Sequence, residues 1–213
     1  RFDGTVVINE VFYNPEGADD GNEFIELAAQ GRFDLTGLQL LLYNDAEEES
    51  VHASVRLSGR PDRLGFVTIG NRPEDDFPVS SIQNGPESIV LVDCADTVVD
   101  AIAYGNFMFT PLGEGEPSAG VSEGQSLSRC ARDHDSDNNA ADFAAAEPTP
   151  SARNVGFIDP RACGGRGCEP GILDDRLEIT EVAPGSNGFV ELSGVDLTPQ
   201  DELFVPLAET CDP

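Results

Sequence analysis

The chain has 213 residues, 39% of them hydrophobic, which is enough for one complete core and part of a second. Acidic residues number 40 against 12 basic ones, all of them arginine, for a formal net charge of −28. That balance disfavours nucleic acid and anionic lipid, whose phosphates need clustered positive charge. The absence of lysine removes Schiff-base chemistry and the usual phosphate-loop lysine.

Three ordinary causes produce an acidic excess of this kind: solubility, a salty habitat, or divalent-cation sites. No apolar run approaches the roughly 20 residues that span a bilayer, so no membrane insertion is expected. The sequence starts at Arg1 without an initiator Met or a secretory apolar stretch, which reads as a processed form or a fragment.

Helical periodicity is nearly absent, while short β-branched and aromatic runs recur between Gly, Pro, Asn and Asp clusters. In chain order the spacing predicts strands over Thr5–Phe12, Glu23–Ala29, Leu35–Tyr43, Val51–Leu57, Leu64–Ile69, Glu87–Asp93, Thr97–Ala103, Gln125–Arg129 and Asp142–Ala144. "ESIVLVD" and "TVVDAIAY", split by Cys94, Ala95 and Asp96, read as a β-hairpin. Strands at this spacing without helical crossovers argue for an antiparallel sandwich. The Gly, Pro, Ser and Glu composition of 106–124 suggests a long exposed loop. A second break over 159–176, "DPRACGGRGCEPG" at its centre, reads as a linker.

After that break the opening pattern returns. "VVINEV" at Val6–Val11 is echoed by "LEITEV" at Leu177–Val182, "FIEL" at Phe24–Leu27 by "FVEL" at Phe189–Leu192, and "FDLT" at Phe33–Thr36 by "VDLT" at Val195–Thr198. Three matches in one order point to a partial, degenerate second copy. The organisation expected is therefore a domain over 1–158, a linker over 159–176 and a partial repeat over 177–213. So short a piece cannot close a sandwich alone; it packs on the first domain, pairs with a partner, or continues in further sequence.

Five cysteines, Cys94, Cys130, Cys163, Cys168 and Cys211, lack paired zinc-ligand spacing and read as disulfides of an oxidising compartment. Cys94 at the hairpin tip and Cys130 after a strand form one expected pair. Cys168 with Cys211 would staple the tail and leave Cys163 odd, although Cys163 with Cys211 fits nearly as well.

The opening "VVINEVFYNPEGADDGNEFIELAAQG…DLTGLQL", the hairpin "ESIVLVDCADTVVDAIAYG" and the close "GQSLSRCARDHDSDNNAADFAAAEPTPSARN" resemble, in that order, the bacterial lamin tail domain. The resemblance covers roughly residues 3 to 156. It implies an immunoglobulin-like antiparallel β-sandwich on a secreted or surface protein, sometimes appended to nucleases or other hydrolases. It implies an accessory or interaction module and carries over no catalytic residues. Ser151 stands where the family commonly has Gly after "PTP".

The densest polar constellation is "DHDSDNNAAD". Asp133, Asp135, Asp137, Asn139 and Asp142 alternate as oxygen donors do around Ca²⁺, which takes six to eight of them. Asn138 and Ala144 replace the glycine and glutamate of an EF-hand, so the segment is either a different calcium loop or a polar turn capping its own backbone. Asp19, Asp20 and Glu23 form a second acidic group, read as a solvated loop or a weaker cation site. Glu10 and Glu26 recur as Glu181 and Glu191. Repetition in a copy too short for a cleft suggests a structural role for them, such as bonding to backbone or arginine. His52 and His134 are the two histidines; no nucleophile elbow accompanies either. "GEGEPSAG" is acidic and unsuited to phosphate. These features predict a non-catalytic extracellular module for adhesion, scaffolding or self-assembly, partnered by protein or by itself. The alternative is a calcium-stabilised accessory binding domain of a larger secreted hydrolase or nuclease.

Overall fold

A computed structural model describes residues 6–17, 21–29, 33–44, 50–79, 82–107, 110–130, 135–158, 178–183 and 189–193. The chain divides into two compact units, Arg1–Gly167 and Cys168–Pro213.

The first unit is an all-β sandwich. One sheet holds β1 (Val6–Phe12), β2 (Phe24–Ala29), β5 (Phe66–Gly70), β6 (Phe77–Pro78), β9 (Ser126–Arg129) and β10 (Phe143–Ala146), in the order β10-β9-β1-β2-β5-β6. The other holds β3 (Gln39–Asn44), β4 (Ser50–Arg56), β7 (Glu87–Val92) and β8 (Val98–Tyr104), in the order β4-β3-β7-β8. Every pairing is antiparallel except the short parallel contact of β5 with β6. Alternation aims one side chain in two between the sheets. Ile8, Val11, Ile25, Leu27 and Ile69 of the first sheet thus share a core with Leu40, Leu42, Ile89, Leu91 and Ile102 of the second. Each such buried side chain favours the folded state by about 1.5–3 kcal/mol before entropy is counted.

Two strands begin later than their apolar runs suggest, and in both cases an aspartate competes for the backbone. Asp34 Oδ1 accepts from the Thr36 N–H at 2.9 Å, and Gly37 follows at φ +95. β3 therefore starts at Gln39, although Leu35 and Leu38 stay buried. Asp62 Oδ1 accepts from both the Leu64 and Phe66 N–H at 2.8 Å, which delays β5 to Phe66.

The segment 106–124 is a loop with many exposed residues, as its composition suggests, but it is also pinned to the sandwich. Ser118 forms a bridge with Tyr104, and its N–H donates to Ala103 O at 2.8 Å. The Val121 N–H donates to the Tyr13 hydroxyl at 2.6 Å. Gly113 lies so close to Asn139 and Ala103 that a Cβ there would collide with both. Glycine makes this close backbone approach possible. The acidic turn also gains structure: Asn138 caps a single helical turn, α1 (Asn139–Asp142), its Oδ1 accepting from the Ala141 N–H at 3.2 Å.

The expected Cys94–Cys130 pair is not formed. Cys94 is a free, exposed thiol at the β7–β8 tip, beside Gly37. Cys130 ends a strand of the opposite sheet among Ala144, Ala146 and Phe157, and is disulfide-bonded to a residue other than Cys94. A hairpin tip and the end of a strand in the other sheet were adjacent only in sequence logic. Cys163, Cys168 and Cys211 lie outside the described residues.

In the second unit β11 (Glu178–Ala183) and β12 (Phe189–Ser193) pair as an antiparallel hairpin. Their register reproduces the opening hairpin. Ile8 opposes Leu27 and Glu10 opposes Glu26, with Asn9 the extra residue of a bulge. Ile179 opposes Leu192 and Glu181 opposes Glu191, with Thr180 the extra residue.

Candidate functional site

Alternation in β9 sends Leu127 and Arg129 to the same side, so a guanidinium enters the core. Arg129 is 1% exposed. β8 supplies its counter-charge, because Asp100 shares a face with Ile102 and Tyr104. Arg129 Nη2 lies 3.0 Å from Asp100 Oδ2 and 3.2 Å from Oδ1, and its Nε donates to Ile8 O at 2.8 Å. The Ile8 N–H in turn donates to Asp100 Oδ2, and the Arg129 guanidinium stacks 4.6 Å from the Phe143 ring centroid. Planar geometry lets one arginine satisfy backbone, carboxylate and ring together.

Above this pair the packed loop delivers Glu114 and the acidic turn delivers Asp135. One carboxylate oxygen from each of Asp100, Glu114 and Asp135 lies within 4.8 Å of the others, so the group can hold a metal ion. Glu114 Oε2 is buried and has no hydrogen-bond partner. Burial, followed by the negative charges of Asp100 and Asp135, pushes Glu114 up to about 8. Burial raises Asp100 to about 6 against the opposing pull of Arg129. Three carboxylates and one close arginine leave excess negative charge, which a proton or a cation relieves. Hard oxygen donors suit Ca²⁺ or Mg²⁺ better than softer metals.

Four of the five residues singled out in the acidic turn are described, and they take different partners. Asp135 joins the triad. Asn139 is spent on backbone: its Oδ1 accepts from the Ala103 and Glu114 N–H at 2.9 Å, and its Nδ2 donates to Ala101 O at 2.8 Å. Asp142 accepts from the Ser136 N–H at 2.9 Å and the Ser136 hydroxyl at 2.7 Å. Asp137 takes φ +54 and donates its N–H to Asp135 Oδ1 at 3.2 Å. Asp133 and His134 lie outside the described residues, as do Asp19 and Asp20. Glu23, from the second acidic group, accepts from Asn71 Nδ2 at 2.9 Å.

Asp100, Glu114 and Arg129 were missed by reading local runs alone. Charges at inward positions of "TVVDAIAY" and "SLSR" were a legible signal for the first and last. Glu114 carried none, because only the fold of its loop brings it here.

Glu10 and Glu26 have the structural role expected of them, with backbone amides as partners. Glu10 Oε1 accepts from the Thr149 N–H at 2.9 Å and Oε2 from the Thr149 hydroxyl at 3.1 Å. Glu26 accepts from Asn9 Nδ2 at 2.8 Å and from the Ser151 N–H. Asn154 completes the latch by donating to Asn9 O at 3.0 Å and Arg129 O at 2.9 Å. The closing segment is thereby fastened to the opening hairpin. Burial pushes Glu26 up to about 8 and raises Glu10, whose charge adds to the shift of Glu26.

His52 Nε2 sits 2.6 Å from Glu87 Oε1. Glu87, fully buried, also accepts from the Tyr104 hydroxyl at 2.7 Å and the Gln83 N–H at 2.8 Å. Among the described residues no helix is long and apolar enough to cross a membrane. No protein-family model, curated protein or solved structure matches the chain.

Proposed function

We propose that this chain is a non-catalytic extracellular module that adheres, scaffolds or self-assembles, its first unit a lamin-tail-type, immunoglobulin-like sandwich. The observation that carries the reading is the repeated hairpin. One bulge, one register and one pair of opposed glutamates occur in β1–β2 and again in β11–β12. In the first copy those glutamates are engaged in fastening a closing segment. A device repeated along a chain is the mark of a structural repeat, whereas a catalytic pair needs a cleft around it. Strand edges add to this reading. β4 and β6 end their sheets, and β4 leaves Val51 43% exposed, an edge onto which another chain can add a strand.

The test is carboxylate cross-linking with a dihydrazide reagent on a mixture of isotopically light and heavy full chain, which suits a protein without lysine. Mixed light–heavy links are expected. Links confined to single chains at concentrations in the micromolar range would refute self-assembly and leave adhesion to another surface.

The Asp100, Glu114 and Asp135 triad favours a second reading, a calcium-stabilised accessory binding domain of a larger secreted hydrolase or nuclease. Calcium would be held by these three side chains, with water and backbone oxygen completing the six to eight ligands it takes.

A further inference from the structure

Edge strand β4 has a free side whose backbone groups can be assigned residue by residue. The Leu57 N–H donates to Leu38 O at 2.9 Å, in register with the β3–β4 ladder, where Val55 opposes Leu40. Backbone groups of an antiparallel strand alternate in direction. The N–H and C=O of Val55 and Leu57 therefore point to β3, and those of Ser54 and Arg56 point away from the sheet. Both residues are exposed, and β4 ends its sheet. A cavity of about 520 Å³, lined by His52, Ala53 and Ser54 together with Pro78 and Val79, keeps this side clear of the opposite sheet. An unpaired row of this kind is a template for another strand. Leu42 opposes Ala53 and Tyr43 opposes Val51, so His52 is the extra residue of a bulge. A bulge interrupts pairing, which confines the template to the part of β4 after it.

Charge along this edge runs against the rest of the molecule. Val51 opposes Tyr43, Ser54 opposes Leu41 and Arg56 opposes Gln39. Leu41 and Tyr43 pack on Val90, Val92 and Ala101, whereas Leu40, Leu42 and Val55 join the core between the sheets. The first three pairs therefore form the outer face at the edge. They include an arginine and no carboxylate, in a chain with 40 acidic residues. Two copies that each carry −28 repel least where neither presents a carboxylate. In the sequence Glu47, Glu48 and Glu49 precede β4 and Arg56 closes it. Antiparallel pairing of two copies sets the acidic lead of each toward the arginine end of the other, whereas parallel pairing would oppose like charges.

We infer that two copies of this chain join edge to edge through β4, antiparallel, with Ser54 of each opposite Arg56 of the other. Each such pair exchanges both of its backbone hydrogen bonds, and the two four-stranded sheets become one continuous sheet. The contact is isologous and closes as a pair, because it uses the free edge of β4 in both copies. This inference rests on the self-assembly reading and deepens it by naming the partner, the strand and the register.

The test combines light scattering with residue-resolved amide hydrogen exchange on the full non-reduced chain in calcium, across a concentration series. The Ser54 and Arg56 amides are expected to gain protection of about tenfold or more as the chain associates. Ser54→Pro removes a free-side N–H without touching a bond to β3, and is expected to weaken association by about tenfold or more. Two further variants fix the register and do not depend on the proline variant folding. Ser54→Arg sets a like charge opposite Arg56 of the second copy and is expected to weaken association about threefold, and Ser54→Glu to strengthen it by as much. Net charge alone predicts the reverse order. Association that leaves both amides unprotected, or that follows net charge in the two variants, overturns the β4 contact and leaves self-assembly standing. A chain that stays monomeric throughout the series overturns both.

Discussion

Arg129 carries the largest electrostatic liability in the described core. Its guanidinium is surrounded by Asp100, Asp135 and Asp142 at 3.0, 3.4 and 3.8 Å. Removing one partner of a buried pair strands the other charge, which costs about 3–5 kcal/mol. Arg129→Ala is therefore expected to lower unfolding free energy in urea by that amount. Asp100→Asn and Arg129→Ala combined should lose less than the sum of the two single changes, because they share the interaction. The same residues set the triad. Glu114→Gln removes the carboxyl group with the orphaned buried oxygen and leaves the Asp100–Arg129 pair its own hydrogen bonds. If calcium sits there, tenfold excess over its dissociation constant stabilises the native chain by about 1.4 kcal/mol. For a domain of this size that raises the melting temperature by about 3 °C or more. The rise is expected in the wild type and absent in Glu114→Gln; an equal rise in both places calcium elsewhere. At this scale the sequence was only partly legible. Alternation marks Asp100 and Arg129 as inward charges, whereas the spacing of Asp133, Asp135, Asp137, Asn139 and Asp142 resembles a ligand loop. The fold instead commits Asn139 and Asp142 to backbone and serine partners.

Among the elements, the opening hairpin does more than contribute two strands. The bulge at Asn9 places Glu10 and Glu26 opposite each other, and both reach the 149–151 backbone. Glu26 is held at about 8 by burial, above its ordinary 4.5. A carboxyl whose folded value is raised keeps a proton that the unfolded chain has released. Its contribution is fully present below about pH 4.5 and is lost as pH rises through about 8. Stability measured by urea midpoint is thus expected to fall across that window. Glu26→Gln, weaker at pH 5 through loss of one acceptor, should show a flatter profile; a parallel profile would contradict the assignment. The strands themselves were well marked by β-branched runs, and the repeat "LEITEV…FVEL" reappears as a hairpin of matching register. The two late strand starts were less legible because Asp34 and Asp62 bond locally, a competition that hydrophobic pattern does not register. The loop 106–124 is largely exposed, as its composition suggests; the close packing of Gly113 against Asn139 and Ala103 is what composition does not register.

For the whole molecule, the net charge of −28 opposes close approach of two copies, and that repulsion is screened by salt. Assembly must then come from strand edges, the second hairpin or cations bound between carboxylates. Cys94, exposed and free, also offers a covalent route under oxidising conditions. Cysteine positions alone could not exclude the pairing of Cys94 with Cys130, since the two sheets separate residues that neighbouring turns bring together in the chain. The most direct test of the module reading is light scattering after size exclusion on the non-reduced full chain, run in calcium and then in chelator at constant ionic strength. Species larger than a monomer are expected in calcium. Their loss in chelator would assign the contact to the carboxylates, and their persistence would assign it to strand edges or Cys94. A strict monomer under both conditions would contradict self-assembly as the function of this chain.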